Sequence, residues 1–281
     1  MGAQLTDLTN KFKEVEMPFD RMEAEFRFDE KFDCILPERE EWTGGNVPKE
    51  GDITIFTDGS KTEAGAGAGI YCEELEMKVS IPLGLHATVF QSETLAISRG
   101  CSMLLERDVV DKKILICTDS ESAIRAISSN KLSTKTVLEG RVNLDTLSRN
   151  NKVSLIWVPG HSGVPGNERA DELEREGSSS SLIGPEPALG IHAGRIRGLL
   201  KSETEQKHQK VWEKLQNCRQ AKEFLLGRNL RTTKYLLSLN RKAIRTMIGM
   251  LTGHNTLRYH QNKMGLISDP HCRRCGDVPE S

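Results

Sequence analysis

Two aspartates follow runs of apolar residues at the points where buried strands would end. The run at residues 53–56 leads through one threonine to Asp58, and the run at residues 114–117 leads through another to Asp119. If the two strands are neighbours in one sheet, both carboxylates emerge at the same edge, where ligand sites form in sheets with parallel strands. The sequence therefore predicts a site that contains paired carboxylates.

Two further carboxylates occur near the beginnings of predicted helices. Glu93 lies in the first turn of a helix that starts near Phe90, and Asp171 lies in the first turns of the last helix of this region. Four carboxylates in one place repel one another, which favours protonation unless cations neutralise them. Mg²⁺ prefers such hard oxygen ligands, and two ions about 3.5–4 Å apart can promote phosphodiester hydrolysis. We therefore expect two Mg²⁺ ions as cofactors, with Mn²⁺ able to replace them.

Each carboxylate also has a simpler interpretation when it is considered alone. An aspartate after a strand is often a turn former or a helix N-cap, and Asp119 could begin its helix in this way. Glu93 could be a solvated helix residue. An exposed charged face of the last helix would contain Asp171 together with Glu172, Glu174 and Glu176. The order and the local context of all four carboxylates together favour the metal site.

The elements that must position these side chains follow the order βββαβααβα. Strands are predicted at residues 53–56, 66–72, 78–83, 112–118 and 152–158, and helices at residues 90–105, 121–128, 137–147 and 167–177. The last helix is expected to have Asn167 as its N-cap and to end at Gly177. This order predicts an α/β fold with a five-stranded mixed sheet flanked by helices.

Charge is distributed unevenly along the 281 residues, whose formal net charge is −1. Residues 1–51 carry a net charge of −6, residues 52–178 carry −5, and residues 179–281 carry +10. Segments rich in Pro, Gly, Ser or charge at 37–52 and 178–187 are typical of linkers. We therefore expect an acidic N-terminal segment with its linker, a catalytic domain at residues 52–178, and a basic helical extension.

Composition bears on where the protein is found. The sequence contains no run of 18 or more apolar residues, which a membrane-spanning helix would need. The first residues lack the apolar region of a secretory signal. The seven cysteines are mostly scattered, which is typical of a reducing compartment. We expect an intracellular protein, and the sequence does not distinguish the nucleus from the cytoplasm or identify a protein partner.

Four segments in this order resemble known motifs. They are TDGS after the first strand, QSETLAI at the start of a helix, CTDSESAI after the fourth strand, and WVPGHSGVPGNERAD near the end of the region. Residues 52–177 thereby resemble type 1 ribonuclease H, and more narrowly the ribonuclease H domain of insect non-LTR retrotransposon polyproteins. The resemblance implies the ribonuclease H-like fold. The family's four metal ligands and its mobile histidine fall, in order, on Asp58, Glu93, Asp119, Asp171 and His161.

The resemblance implies Mg²⁺-dependent endonucleolytic cleavage of the RNA strand of RNA–DNA hybrids. His161 lies in a glycine-rich loop, where its imidazole could shuttle protons or help product and metal to leave. Gly59 and Ser60 could offer backbone N–H groups to the RNA. Gln91 could contact the minor groove or be only a polar residue at a helix start, and both interpretations remain open. The alternatives to an enzyme are a domesticated nucleic-acid-binding protein without turnover and a structural fragment of a degraded element.

Two features bear on how a hybrid would be held. The basic handle that cellular family members carry between two helices is reduced here to residues 128–136, with two lysines. The basic extension, predicted to be helical at 194–226 and 231–251, could be a phosphate-binding arm or only a solvated surface. It resembles the tail of retrotransposon polyproteins, but Cys272 and Cys275 lack the later His and Cys of that cluster. An intact zinc site is therefore not expected.

Overall fold

A mixed sheet of six strands is the centre of the first part of the computed structural model, which describes residues 11–29, 31–44 and 51–280. The chain divides into two units, residues 1–198 and residues 199–281. The strands are β1 (Arg21–Phe26), β2 (Asp33–Ile35), β3 (Ile53–Lys61), β4 (Ala66–Cys72), β5 (Met77–Gly84), β6 (Lys113–Thr118), β7 (Lys131–Thr134) and β8 (Lys152–Trp157). Their order in the sheet is β2-β8-β6-β3-β4-β5. The β3–β4–β5 meander is antiparallel, whereas β6 pairs parallel with both β3 and β8.

Helices pack on this sheet and begin at identifiable signals. They are α1 (Arg39–Gly44), α2 (Val89–Leu105), α3 (Glu121–Ile127), α4 (Lys135–Leu147) and α5 (Pro165–Ser179). A capping box opens α2, because Thr88 Oγ1 accepts from Gln91 N and Gln91 Oε1 accepts from Thr88 N, each at 3.2 Å. Pro165 occupies the first position of α5, which its fixed φ suits. The predicted N-cap Asn167 is therefore wrong, and this residue lies inside the first turn and is buried.

Buried aliphatic side chains hold α2 against the sheet. Ile55 of β3, Ile70 of β4 and Ile97 of α2 are fully buried in one hydrophobic cluster. Each such side chain contributes about 1.5–3 kcal/mol relative to exposure. The central strands β3 and β6 are covered on both faces, so their sequences are continuous apolar runs rather than alternating patterns.

Glycines on the strands let α2 and α5 approach the sheet closely. A Cβ atom at Gly59 of β3 would lie 2.8 Å from Glu93 Cα, and one at Gly69 of β4 would lie 2.6 Å from Glu174 N. Both separations are shorter than any normal contact of a Cβ atom, so a side chain does not fit at either position. The two glycines therefore set the distance between each helix and the sheet.

The N-terminal segment belongs to the same unit, and it adds a sixth strand to the five that the sequence predicts. β1 pairs antiparallel with β7, which lies in the reduced handle, and β2 pairs parallel with β8. Asp20 is buried and accepts hydrogen bonds from Thr136 N at 2.9 Å and Thr136 Oγ1 at 2.8 Å. β1 contains no buried residue and β2 is only three residues long, so neither has the apolar run on which strand prediction depends. The expected linker at residues 37–52 contains α1 and lies partly outside the described residues.

The second unit is built from helices. These are α6 (Ala193–Lys214), which begins in the first unit, α7 (Arg219–Phe224), α8 (Leu230–Ser238), α9 (Arg241–Thr252) and α10 (Arg258–Lys263). The helix predicted at 194–226 ends early, and Cys218, with a left-handed φ of 63°, precedes α7. The helix predicted at 231–251 is divided at Asn240, whose side chain accepts from two backbone N–H groups and caps α9. Within the described ranges, no helix is both long and apolar enough to cross a membrane.

Candidate active site

Asp58 lies just beyond the point where the parallel pairing of β3 and β6 ends. The last parallel pair joins Thr57 to Thr118, and β3 then continues to Lys61 against β4. The strand therefore does not end at this aspartate, as the sequence suggested, because the antiparallel partner extends it. Burial raises the pKa of Asp58 to about 7, and the charge of Asp119 acts in the same direction.

Glu93 of α2 lies next to Asp58 and is 7% exposed. Its Oε2 atom is buried and has no hydrogen-bond partner. Burial raises the pKa of Glu93 to about 10, and the charges of Asp58 and Asp119 add to this effect. A buried carboxylate with an unpartnered oxygen and like charges beside it requires either a proton or a cation.

Asp119 follows β6 and is fixed through its main chain, because Trp157 Nε1 donates to Asp119 O at 3.0 Å. Burial raises the pKa of Asp119, whereas a charged His161 and a hydrogen bond from Asn167 oppose the increase. The Oδ1 atom of Asn167 is itself buried without a partner. The carboxylate therefore sits between the sheet and the start of α5.

Asp171 of α5 lies beside a guanidinium group and an imidazole. Its Oδ2 atom accepts from Arg175 Nη2 at 2.7 Å and lies 4.0 Å from His161 Nδ1. His161 is in the loop that precedes α5, has a φ of 50°, and exposes 79% of its side chain. An imidazole in this position reaches both the solvent and the carboxylates.

The carboxylates form two overlapping groups that share Asp58. Asp58, Glu93 and Asp119 offer oxygens within 4.8 Å of one another, and so do Asp58, Asp171 and Glu174. All four carboxylates expected from the sequence are thus brought to one place. A set of hard oxygen donors suits a divalent cation of the Mg²⁺ type, and the unpartnered Glu93 Oε2 fits such an ion.

Glu174 is a fifth carboxylate, which the sequence interpretation placed wrongly on an exposed face. It is 2% exposed, and Ser60 Oγ donates a hydrogen bond to its Oε1 atom. Burial raises the pKa of Glu174, and hydrogen bonds from Ser60 and Ser178 oppose the increase. Helical spacing is the signal that could have identified it, since Glu174 follows Asp171 by three residues and shares its face of α5.

Gly59 and Ser60 of β3, whose backbone N–H groups were expected to contact RNA, make hydrogen bonds within the protein. Gly59 N donates to Asp58 Oδ1 at 2.7 Å, so this N–H group orients a carboxylate in the present conformation. The hydroxyl of Ser60 is bound to Glu174. A contact between the backbone of Ser60 and RNA stays a prediction.

Gln91 is fully buried, whereas a contact with the minor groove of the hybrid would require an exposed side chain. Its Nε2 atom donates to Asp20 Oδ2 at 3.1 Å and to Gly190 O at 2.8 Å. Its Oε1 atom accepts from Thr88 in the capping box. Gln91 therefore ties the N-terminal segment to the start of α2, and the contact with the minor groove remains an untested prediction.

These features define an α/β protein in which carboxylates from the sheet and two helices converge on one site. The RNase H family model matches residues 50–179, a range that contains the five carboxylates and His161. A ribonuclease H from Pectobacterium atrosepticum is 32% identical over 147 residues, which cover 47% of this chain and 92% of that protein. The chain therefore belongs to the ribonuclease H family.

Other relatives match a smaller share of their own length. Ribonuclease H1 from Rattus norvegicus is 29% identical over 147 residues, which are 46% of this chain and 51% of that protein. A ribonuclease H from Maricaulis maris is 62% identical over 34 residues, which are 12% of this chain and 23% of that protein. The chain thus spans about half or less of these two relatives.

Proposed function

We propose that the chain hydrolyses the RNA strand of RNA–DNA hybrids, with divalent metal held by Asp58, Glu93, Asp119 and Asp171. The observation that carries the proposal is the group of buried carboxylates around Asp58, in which Glu93 keeps an unpartnered oxygen. Membership of the ribonuclease H family supports the reaction and the substrate, since the matched relatives are named ribonuclease H.

The carboxylates have distinct parts in the proposed site. Divalent metal bound there would supply an activated water and stabilise the leaving oxygen. Asp58 would be the central ligand because it belongs to both carboxylate groups. Burial raises the pKa values of Asp58 and Glu93, so cation binding would compete with the protonation of both side chains.

His161 would move protons between the site and the solvent. Its Nδ1 atom lies 4.0 Å from Asp171 Oδ2, and most of its side chain is exposed. The imidazole can accept a proton from the attacking water or donate one to the leaving oxygen. It would assist the reaction without holding the substrate or the metal in place.

We assign Mg²⁺ as the cofactor because the candidate ligands are carboxylates, which hard cations prefer. Mn²⁺ would replace it, since it accepts the same oxygen ligands.

The substrate would be recognised through its sugar–phosphate backbone. Discrimination of a hybrid from DNA requires contacts with 2′-hydroxyl groups. The catalytic domain, which we place at residues 52–178, carries a net charge of −5. Phosphate binding would therefore draw on the basic extension, residues 179–281, with a net charge of +10.

The origin and the compartment are also part of the proposal. The four motifs and the Cys272–Cys275 segment support derivation from a non-LTR retrotransposon polyprotein, in which residues 1–51 form an acidic segment ahead of the catalytic domain. The seven cysteines all lie in the described residues and form no disulfide bond, and a reducing, intracellular location is part of the proposal. The choice between nucleus and cytoplasm requires imaging of the tagged chain.

The test is cleavage of an end-labelled RNA–DNA hybrid by the full chain in Mg²⁺ and in EDTA. We expect cleavage of the RNA strand in Mg²⁺ only, and none of the matched DNA duplex. Asp58→Asn should abolish cleavage without loss of the fold, because the variant lacks the shared ligand. Binding of the hybrid without cleavage by the wild type would favour a nucleic-acid-binding protein, and wild-type cleavage by the variant would overturn the metal-site assignment.

A further inference from the structure

Glu174 is the one carboxylate of the site that the family motifs do not assign. We propose that it is an additional metal ligand, which offers an oxygen to the ion held by Asp58 and Asp171. The proposal rests on the proposed function only in that it requires divalent metal at this site. It would make the ligand set five carboxylates rather than four.

The backbone of the protein brings Glu174 into the site. A Cβ atom at Gly67 would lie 2.6 Å from Glu174 O, and one at Gly69 would lie 2.6 Å from Glu174 N. Helix α5 therefore rests directly on β4, and its residue 174 faces the sheet. Only 2% of Glu174 is exposed, and Ser60 Oγ binds one oxygen of its carboxylate. The carboxylate is thus held in a fixed orientation.

The arrangement of carboxylates around Asp58 favours a bound cation. Oxygens of Glu174, Asp58 and Asp171 lie within 4.8 Å of one another. In the described part of the chain, Arg175 Nη2 contacts Asp171 and His161 Nδ1 lies 4.0 Å from it, and both side chains are mostly exposed, at 63% and 79%. A divalent ion bound among these oxygens would therefore relieve the repulsion between neighbouring carboxylates.

Two buried oxygens beside the cluster give independent evidence for an ion. Glu93 Oε2 and Asn167 Oδ1 have no hydrogen-bond partner, and their residues are 7% and 3% exposed. Such groups are costly unless something binds them. The side chain of Asn167 lowers the pKa of Asp119, so it lies beside the site and is not one of the carboxylates themselves.

A structural role of Glu174 is the competing explanation. In that case the side chain would be protonated and would only join α5 to β3 through Ser60. Metal binding would then not depend on residue 174. The two explanations differ in one measurable quantity, the affinity of the metal-free protein for a divalent ion.

The test is a calorimetric titration of the metal-free full chain with MnCl₂. Glu174→Gln keeps the size of the side chain and an acceptor for Ser60, and should weaken Mn²⁺ binding by about tenfold or more. Glu176→Gln, which removes the same charge from an exposed position of α5, should bind as the wild type does. The Mn²⁺-induced rise in melting temperature should fall in the first variant only.

Unchanged or tighter Mn²⁺ binding by Glu174→Gln would overturn the proposal, because the residue would then contribute only repulsion or structure. If that variant does not fold, Glu174→Asp is the second test, because it keeps the charge but shortens the side chain by one methylene. Wild-type Mn²⁺ affinity of Glu174→Asp would also overturn the proposal. Cleavage of the hybrid by the wild type is measured in a separate assay, which tests the proposed function. Weakened Mn²⁺ binding in the variant with no cleavage by the wild type would retain this ligand and reject the proposed function.

Discussion

Asp58 and Glu93 retain protons at pH values where exposed carboxyl groups are ionised, because burial raises their pKa values to about 7 and about 10. In the unfolded chain both groups ionise near about pH 4. Between about pH 5 and pH 7 the folded protein therefore binds more protons than the unfolded chain, so its stability falls as the pH rises. We predict that this loss in metal-free protein approaches about 1.4 kcal/mol per pH unit for each group.

Asp58→Asn provides the control for this pH dependence. Asparagine does not ionise, and its introduction removes a charge beside Glu93, so the slope of stability against pH should become shallower. Urea unfolding in EDTA at several pH values between about 5 and about 7 measures both slopes. At the upper end the variant should be at least as stable as the wild type. Equal slopes would show that Asp58 does not hold a proton in the folded state.

His161→Ala should reduce hybrid cleavage by about 10²–10⁴-fold without abolishing it, since proton transfer by a side chain typically contributes this much. The measurement is the single-turnover rate as a function of pH. In the His161→Ala variant, the change in rate caused by titration of the imidazole should be absent. His208→Ala removes an exposed histidine from α6 and should leave the rate unchanged. Identical pH profiles for wild type and His161→Ala would exclude proton transfer by this residue.

The site could be predicted from the sequence where local patterns carry the information. Carboxylates after apolar runs and at helix starts predicted four candidate ligands, which the structure brings close together, and a motif predicted a role for His161. Glu174 was missed because its burial depends on the glycines of β4, far away in the sequence. The burial of Gln91 likewise depends on Asp20 and Gly190, which are 71 and 99 residues distant.

At the scale of elements, the contact between α5 and β4 controls the geometry of the site. We predict that Gly69→Ala costs about 1–3 kcal/mol of stability, as overpacking does, because the new methyl group would meet the main chain of α5. Mn²⁺ affinity should fall as well, since the displaced helix carries Asp171. Urea unfolding and calorimetry would measure the two effects.

Gly198→Ala is the matched control for that substitution. A Cβ atom at this helical position meets nothing within 4 Å, so the change should stabilise α6 by up to about 1 kcal/mol through helix propensity. If Gly69→Ala behaves like this control in stability and in metal affinity, the close contact between α5 and β4 does not limit the site.

Elements differed in how well the sequence revealed them. The apolar runs of the central strands were sufficient to predict β3 to β6 and β8, because burial on both faces requires such runs. β1 was missed because none of its residues is buried, and β2 was missed because it is only three residues long. The predicted C-terminal helices were too long, since an apolar pattern continued across Cys218 and across the capping residue Asn240.

At the scale of the whole molecule, the uneven charge predicts where affinity for the hybrid originates. Each phosphate contact releases counterions, so log K falls with log[salt] by about 0.9 per contact on duplex DNA. Exposed lysines occur on α6, where Lys207, Lys210 and Lys214 lie within about 60° of arc around the helix. A chain ending at Gly198 should bind the hybrid more weakly, with a shallower salt slope, and cleave at a similar rate when saturated.

The position of the cut follows from the fold. Ile191 bridges to Phe19, and Gly190 accepts from Gln91, so a chain ending at Gly177 would lose contacts of the first unit. Replacing Lys207, Lys210 and Lys214 by glutamine in the full chain is the control that leaves every helix in place. Equal salt slopes in wild type, truncated chain and triple variant would show that the basic extension is only a solvated surface.

The pairing of β2 with β8 determines when the sheet can be completed during synthesis of the chain. Asp33 lies opposite Ser154, so 121 residues separate the partners along the chain. At about 5–20 residues per second, the ribosome takes about 6–24 s to produce that stretch. During this time β2 has emerged without a partner, and β8, the last strand to be made, must then insert between β2 and β6. The six-stranded sheet is therefore completed only when β8 pairs with β6 on one side and with β2 on the other.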